Sequence, residues 1–506
     1  MKMRFYYVML LVVLSVVALG AGTGQAFNVE QMAVHARALG LANTCTADPP
    51  RIMAIHYNPA GLTSLKGTQI DVGITYADVE VTSRFKKGSN YVNPASPYTG
   101  NDPVADTEGT SHKGVLSAPF VEWITPIIAP NLGISHQPTG SRWTFAYGMY
   151  APIGIGIEHT GDDAAKYGGQ RVMEDRFIYA APTVAYKVTD SLSLGVSLGL
   201  GYTSIGATFD MRAPNHTTGG LAALGVITSP YNGLGKLDML VEDNMTLSCN
   251  VGMLWQPVEW FSFGAVYQSE AKTKNMEGDF KMTYSQSFKN LWNTAQALGY
   301  VTGAAKDGES GKISVEDTIP RRAQIGIMVK PFKSLKLLCD WHWIDYRCKE
   351  RDIFEADQDL QVLQLASSGL FNYEGGSRKL IIERHWQQKY NFSYAIEWQA
   401  TKSLCLRAGF EPRKTVIPDE YYELTYPVTD WDIYTVGMGV NLSDQLTVDL
   451  ALAYVYNNDH SIPKNTSKVL NSPADGAAII YNPYSGLDYE QKTEAILASI
   501  NISYKW

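Results

Sequence analysis

The chain has 506 residues, is rich in glycine (44) and tyrosine (30), and carries a net charge of −8. An acidic balance without a clustered basic face argues against nucleic acid as a partner. Beyond the N-terminal segment no apolar run is long enough for a transmembrane helix, so the composition favours many strands with aromatic belts.

The N-terminus has the pattern of a secretory signal peptide. Lys2 and Arg4 precede an apolar core over residues 5–19 and a stretch of small residues that ends at Ala26. This core is too short to span a membrane comfortably, which disfavours a retained anchor. We therefore predict a signal peptide over residues 1–26.

Residues 27–68 do not follow a strand pattern. The turn formers Asp48-Pro49-Pro50 and Asn58-Pro59-Ala60-Gly61 would break any strand. Such a segment ahead of the first strand of a barrel must either enter the lumen or hang in the periplasm. We favour a plug inside the lumen.

From residue 69 onward, alternation with a period of two dominates. In the last segment Ile496, Ile500 and Ile502 face one way, whereas Ser499 and Asn501 face the other. A strand with lipid on one side and a polar lumen on the other requires this pattern.

The connections between these segments alternate in length. Short turns such as 187–191 and 441–445 alternate with long polar stretches such as 212–236 and 457–488. Because this places every short turn at one membrane face, it is typical of outer-membrane barrels and not of a β-sandwich. We predict an all-β fold, a transmembrane antiparallel β-barrel of about fourteen strands over residues 69–506, closed by pairing of the last strand with the first at 69–82.

Two N-terminal blocks carry a family resemblance. Residues 40–48 (Gly-Leu-Ala-Asn-Thr-Cys-Thr-Ala-Asp) and 57–63 (Tyr-Asn-Pro-Ala-Gly-Leu-Thr) resemble the signature of the FadL family. These are outer-membrane channels for long-chain fatty acids and, in the TodX-type branch, aromatic hydrocarbons. Segments 148–154, 176–182 and 406–409 agree, and the resemblance covers residues 27–506.

The resemblance implies a barrel with an N-terminal hatch that includes Asn58, Pro59 and Ala60. It also implies substrate capture by extracellular loops, an internal pocket and lateral release through a gap in the third strand. The chain departs from the family at Trp506, where the family usually ends in Phe, and at Ala181-Pro182, which replaces a more usual Asn-Pro.

The expected partners follow from this implied role. They are a hydrophobic small molecule, the lipid and lipopolysaccharide of the outer membrane, and the barrel assembly machinery, which would read the C-terminal aromatic residue. We expect a monomer without a cofactor.

The predicted third strand, residues 142–159, contains Pro152 with Gly148 and Gly154 nearby. Because proline cannot donate to the ladder, it forces a bulge or a break in pairing. Such a bulge can serve barrel curvature alone. The resemblance favours a lateral gap, with Gly148, Pro152 and Gly154 as gate candidates.

Two long loops contain apolar side chains. Residues 287–299 have helical spacing with one apolar face, and residues 219–227 form a second apolar patch. The two patches can pack together as a cap, or they can form a groove for substrate, and we favour the groove. The candidate groove residues are Leu221, Leu224, Phe288, Leu291, Trp292 and Leu298.

Signals of catalysis are weak. Gly195-Val-Ser-Leu-Gly199 matches a nucleophile-elbow motif, which needs a strand-turn-helix, but it lies inside an unbroken alternating strand. The nine histidines show no metal-ligand spacing. A lipid-acting enzyme is therefore disfavoured, and a general porin is opposed by the hatch and the apolar loops. We predict a passive outer-membrane channel for hydrophobic molecules that is not an enzyme and holds no metal.

Overall fold

The computed structural model describes residues 33–506 except 90, 112, 119–120, 125, 160, 274–275, 372, 458 and 473–481. The predicted signal peptide lies outside these residues. Within the described part of the chain, no helix is long and apolar enough to cross a membrane.

The chain is dominated by strands, with a few short helices. The first thirteen strands are β1 (Gly67–Lys86), β2 (Thr107–Thr110), β3 (Lys113–Gly114), β4 (Leu116–Ala118), β5 (Val121–Ile124), β6 (Ile127–Gln137), β7 (Trp143–Glu158), β8 (Arg171–Ala180), β9 (Thr183–Lys187), β10 (Leu192–Met211), β11 (Gly235–Val258), β12 (Phe261–Gln268) and β13 (Ala271–Lys272). The remaining strands are β14 (Met276–Tyr284), β15 (Gly308–Val315), β16 (Thr318–Ile319), β17 (Arg322–Phe332), β18 (Leu335–Asp345), β19 (Arg351–Ala356), β20 (Lys379–Glu383), β21 (Gln388–Gln399), β22 (Leu404–Arg413), β23 (Trp431–Asn441), β24 (Leu446–Tyr456), β25 (His460–Ile462) and β26 (Asp488–Lys505). The α-helices are α1 (Ala36–Leu39), α2 (Ala54–Tyr57), α3 (Lys166–Gly169), α4 (His216–Ala223), α5 (Gln286–Ala297) and α6 (Gln361–Ala366). Short 3-10 helices cover Arg51–Met53, Pro59–Ser64, Tyr346–Cys348 and Asp419–Tyr421.

The wall is a closed antiparallel barrel of fourteen strands, as predicted. Several of these strands are interrupted and are built from two consecutive segments, for example β8 with β9. The barrel closes where β26 pairs with β1, in a continuous register from Gln69↔Lys505 to Lys86↔Asp488.

The alternation predicted for the last strand is confirmed. Ile496, Ile500 and Ile502 are exposed on the outer face, whereas Ser499 and Asn501 are buried in the lumen. A lumen filled with polar side chains and an apolar outer wall are what a membrane-spanning barrel requires.

The N-terminal residues 33–65, called the hatch below, lie inside the barrel. They contain α1, α2 and two of the 3-10 helices, and most of their side chains are buried. The first strand then begins at Gly67. The hatch fills part of the lumen and packs against apolar residues of the wall such as Ile178, Met328 and Leu338.

Candidate functional site

The Asn58 side chain binds Thr46 and Ala60 of the hatch and Met253 of the barrel wall. Its Nδ2 donates to the Thr46 carbonyl at 2.8 Å and to the Met253 carbonyl at 3.0 Å, and its Oδ1 accepts from the Ala60 amide at 3.2 Å. The Ala60 bond caps the 3-10 helix that Pro59 opens. Asn58, Pro59 and Ala60 are thus buried together, and the bond from Asn58 to Met253 joins the hatch to the wall.

Two glycines of the wall allow this close approach. A Cβ added at Gly195 would lie 2.3 Å from the Pro59 carbonyl carbon, and one at Gly252 would lie 2.1 Å from Asn58 Oδ1. Any larger residue at either position would have to push the hatch inward. Gly195 belongs to the motif that resembled a nucleophile elbow. There Ser197 accepts a hydrogen bond from Thr183 Oγ1 at 2.9 Å inside a regular strand.

The hatch is also joined to the wall by buried ion pairs. Arg37 of the hatch binds Glu397 on β21, and Lys336 on β18 binds both Asp48 of the hatch, at 2.6 Å, and Glu397, at 2.7 Å. Three cations meet three carboxylates in this network. Its members are Arg37, Asp48, Lys336, Glu397, Arg407 and Asp449.

The third strand of the barrel, β7, has the predicted interruption. Its ladder with β6 runs from His136↔Phe145 to Asn131↔Tyr150. On this side of β7, backbone bonding among the described residues resumes at Gly156, whose carbonyl accepts from the Val115 amide at 3.2 Å, and β3 then pairs with Ile157 and Glu158. On its other side the register with β8 shifts between Tyr150 and Ile153. The interruption therefore covers residues 151–155 on the side of β6, and it contains Pro152, which cannot donate to a ladder.

The three gate candidates lie at different places along β7. Gly148 belongs to the paired part, opposite Gly133, and its carbonyl accepts from the Ala181 amide at 2.9 Å. Pro152 lines a polar cavity with His56 and Arg176. Gly154 lies within the interruption and lines the main cavity of the lumen.

This main cavity, called the lumen cavity below, has a volume of about 860 Å³ including its opening. It lies between the hatch, the interrupted part of β7 and the inner faces of β1, β23, β24 and β26. Most of its lining is apolar, including Leu39, Val79, Ile155, Trp431, Val455 and Leu497. Its residues Gly154 and Ile155 lie within the interruption of β7, whereas Gly156 and Ile157 belong to the part that is bonded to Val115 and Gly114.

Two smaller cavities adjoin the lumen cavity on the side of the loops. The middle cavity, of about 440 Å³ including its opening, shares Ile155, Gly156 and Ile157 with the lumen cavity and includes Phe354. The upper cavity, of about 380 Å³ including its opening, also contacts Phe354 and reaches Leu360 beside α6. Neighbouring cavities of the three thus have lining residues in common.

One loop residue at the middle cavity carries a phenol group. Tyr426 lies in the connection between β22 and β23 and is buried. Burial raises the pKa of this phenol well above its usual value, because the charged form would lose its hydration. Tyr426 is therefore a neutral wall of the cavity.

The predicted loop helix is present as α5, and the second apolar patch begins in α4, but the apolar residues of the two differ in exposure. Phe288, Leu291 and Trp292 are buried: Phe288 stacks on Tyr284 with ring centroids 4.2 Å apart, and Trp292 donates to the Gly303 carbonyl at 2.9 Å. Leu221 is buried in the same apolar cluster. By contrast, Leu224 is 80% exposed and Leu298 is 61% exposed.

The sequence reasoning did not identify the residues of the lumen cavity. They occupy inward positions of β23, β24 and β26, where Ile433, Val455 and Leu497 replace the small and polar residues found further down the same faces. A change from polar to apolar on the lumen face is visible in the sequence. It could have located the cavity.

Comparison with known proteins agrees with this architecture. Residues 13–506 match the model of the outer membrane protein transport protein family (OMPP1/FadL/TodX). The chain belongs to this family. Its members are outer-membrane channels for hydrophobic compounds and not enzymes, which confirms the predicted location and the absence of catalysis.

Relatives of this OMPP1/FadL/TodX protein are distant in sequence. A Neisseria meningitidis serogroup B protein whose name describes it as an outer-membrane protein is 21% identical over 452 residues, which cover 86% of each chain. A FadL homologue of Pseudomonas aeruginosa has a TM-score of 0.67 at 13% identity, covering 96% of this chain and 100% of its own. The toluene transporter TodX of P. putida has a TM-score of 0.62 at 15% identity, covering 95% and 99%. The two TM-scores show that the chain shares the fold of these solved structures.

Proposed function

We propose that this protein is a passive channel for the uptake of hydrophobic molecules, of the fatty-acid or hydrocarbon class, across the outer membrane. Solutes are captured at the extracellular loops, pass through the upper and middle cavities, and are held in the lumen cavity. They leave sideways through the gap in β7. Movement follows the concentration gradient.

The observation that carries this proposal is the series of three apolar cavities that ends at the break in β7. A route lined by Phe354, Ile155 and Leu497 keeps an apolar solute out of water and away from the lipopolysaccharide leaflet. The hatch, held by Arg37 and Asn58, fills the lumen below the route. The relatives TodX and TbuX are named as toluene transporters, which supports a hydrophobic solute.

Loop capture is supported by the exposed leucines. Leu224 and Leu298 follow the last residues of α4 and α5 and leave apolar surface in contact with water. Exposed apolar surface on extracellular loops needs a partner. We assign first contact with the solute to these two residues.

The test is uptake of a radiolabelled alkane by Gram-negative cells that lack their own channel of this family. The double variant Pro152→Thr/Gly154→Val restores strand-forming residues at the gap and should abolish uptake. The control Thr144→Val changes the paired part of the same strand and should transport normally. Full uptake by the double variant, with normal amounts of folded barrel, would contradict lateral release.

A general porin is the competing function. Liposomes that contain the purified protein should not swell in isotonic sugar, because the hatch fills the lumen. Swelling would favour a polar pore and would contradict the proposal. We also propose that the protein is a monomer surrounded by outer-membrane lipid, inserted by the barrel assembly machinery through its terminal strand.

A further inference from the structure

Two buried hydroxyl groups interrupt the apolar lining of the lumen cavity. Thr435 on β23 is 4% exposed and Thr493 on β26 is 0% exposed, and both line the cavity. Neither Oγ1 atom has a hydrogen-bond partner among the described residues. Because a buried hydroxyl is unfavourable without a partner, these two atoms indicate polar groups on the molecule that the cavity receives.

The two hydroxyls lie at different heights in the barrel. Thr435 pairs with Ala453, and Ala453 pairs with Leu497, so Thr435 is level with Leu497 on β26. Thr493 is four residues away from Leu497 along that strand, a rise of about 13 Å. The lining between the two levels includes the apolar Val455 and Ala495. The cavity therefore has one buried hydroxyl at each of two levels and apolar lining between them.

The positive charge at the lining of the cavity is already neutralised by a buried ion pair. Among the described residues that line it, Arg413 is the only charged one. Its Nη2 donates to Oε2 of the buried Glu411 at 2.7 Å, and the other oxygen of Glu411 accepts from Asn391 at 2.5 Å. A carboxylate that entered this cavity would lose its hydration next to a cation that already has a partner, which is strongly unfavourable.

We infer, building on the proposed function, that the lumen cavity selects elongated neutral molecules with an apolar body and a neutral hydrogen-bonding group at one or both ends. Alcohols, and ketones or esters of similar shape, fit these requirements. Ionised fatty acids do not, so the proposed function is narrowed to uncharged solutes. Thr435 and Thr493 recognise the polar ends, and the Arg413–Glu411 pair excludes the carboxylate.

The test is equilibrium dialysis of radiolabelled dodecane, dodecan-1-ol and dodecanoate at pH 8. One chamber holds the full-length mature protein in detergent, and the other holds the same detergent alone, so that partition into micelles cancels. Dodecan-1-ol should bind more than about tenfold more tightly than dodecanoate, since a charged group without a counter-ion is penalised more than a hydroxyl. Dodecanoate that binds as tightly as dodecan-1-ol would overturn the inference.

Matched variants locate the effect. Thr435→Val/Thr493→Val keeps the shape of both side chains and should lower the affinity for dodecan-1-ol about five- to tenfold while leaving that for dodecane unchanged, the size expected for a hydrogen bond. Thr435→Ser/Thr493→Ser retains the hydroxyls and should bind dodecan-1-ol like the wild type. An unchanged affinity in the valine variant would contradict the assignment.

Glu411→Gln removes the carboxylate beside Arg413 and should increase the affinity for dodecanoate. An unchanged dodecanoate affinity would refute charge balance as the cause of exclusion.

Ala453→Phe fills the cavity and should abolish binding of dodecane and dodecan-1-ol. Full binding of dodecane and dodecan-1-ol by this variant would place the ligand outside the cavity, and it would refute both the proposed function and the inference. If the wild type binds dodecanoate tightly and Ala453→Phe abolishes that binding, the inference alone is refuted. Heat-modifiable migration in electrophoresis confirms that each variant is folded.

Discussion

Arg37 of the hatch and Glu397 of the barrel wall form a bidentate ion pair. Arg37 Nε lies 2.9 Å from Glu397 Oε2, and Arg37 Nη2 lies 3.2 Å from Glu397 Oε1. A planar guanidinium fixes both the distance and the orientation of a carboxylate in this geometry. The pair therefore contributes to the position of the N-terminal segment in the lumen, together with the Lys336–Asp48 pair and the Asn58–Met253 bond.

Removing one partner of this pair should loosen the hatch. Glu397→Ala leaves Arg37, Lys336 and Arg407 without a shared carboxylate, and we expect a loss of about 3–5 kcal/mol of stability, as for other broken buried pairs. The midpoint of thermal unfolding in detergent should fall, and conductance in planar bilayers should rise. The control Lys312→Ala breaks an exposed ion pair with Asp279 and should change neither quantity.

Gly195 on β10, which lies against Pro59 of the hatch, should not tolerate a side chain. Gly195→Ala places a Cβ against the backbone of Pro59, and we expect a destabilisation of about 1–3 kcal/mol from overpacking. Limited proteolysis of the N-terminal segment should become faster. Gly220→Ala, at a position with open space around the added carbon, provides the control, and equal behaviour of the two variants would contradict the prediction.

Asn58 should be needed for its amide as well as for its capping oxygen. Asn58→Ala removes the cap and leaves the Thr46 and Met253 carbonyls without this donor, so we expect a loss of about 2–4 kcal/mol. Asn58→Asp keeps the acceptor for the Ala60 amide but removes both donors. If the aspartate variant unfolds at the wild-type temperature, the two donated hydrogen bonds do not stabilise the hatch.

The apolar residues of the loops should separate into two groups. Trp292→Ala opens a cavity in a buried cluster and should cost about 3–5 kcal/mol, measured as a lower thermal midpoint. Leu224→Ser/Leu298→Ser changes exposed side chains and should leave stability within about 0.5 kcal/mol of the wild type. The second variant should nevertheless slow alkane uptake at low external concentration. Wild-type uptake would show that these leucines are not the first contact.

The middle cavity should be part of the route. Ala207 lines the middle cavity at a distance from the hatch, and Ala207→Phe fills it. We expect uptake to fall while affinity for solute in the lumen cavity stays within about twofold, because that cavity is unchanged. The same replacement at the exposed Ala223 on α4 is the control. Normal uptake by Ala207→Phe would mean that solutes reach the lumen cavity by another path.

Much of the fold followed from patterns that are local along the chain. Alternation of Ile496, Ile500 and Ile502 with Ser499 and Asn501 was enough to predict the terminal strand. A strand between lipid and a polar lumen needs one apolar face and one polar face. The alternation of short and long connections predicted the barrel. Pro152 predicted the interruption of β7, because its missing amide hydrogen acts on the strand in which it stands.

The tertiary structure alone decided which residues come into contact across the chain. The pairing of Arg37 with Glu397 spans 360 positions of the chain, and the contact of Gly195 with Pro59 depends on how the hatch enters the lumen. Periodicity placed Phe288, Leu291, Trp292 and Leu298 on one helical face, but only packing separated the buried three from the exposed leucine. The lumen cavity likewise arises where inward side chains from several strands and the hatch leave a space between them. Sequence by itself determined which residues face inward, and three-dimensional closure of the barrel determined which of them surround a cavity.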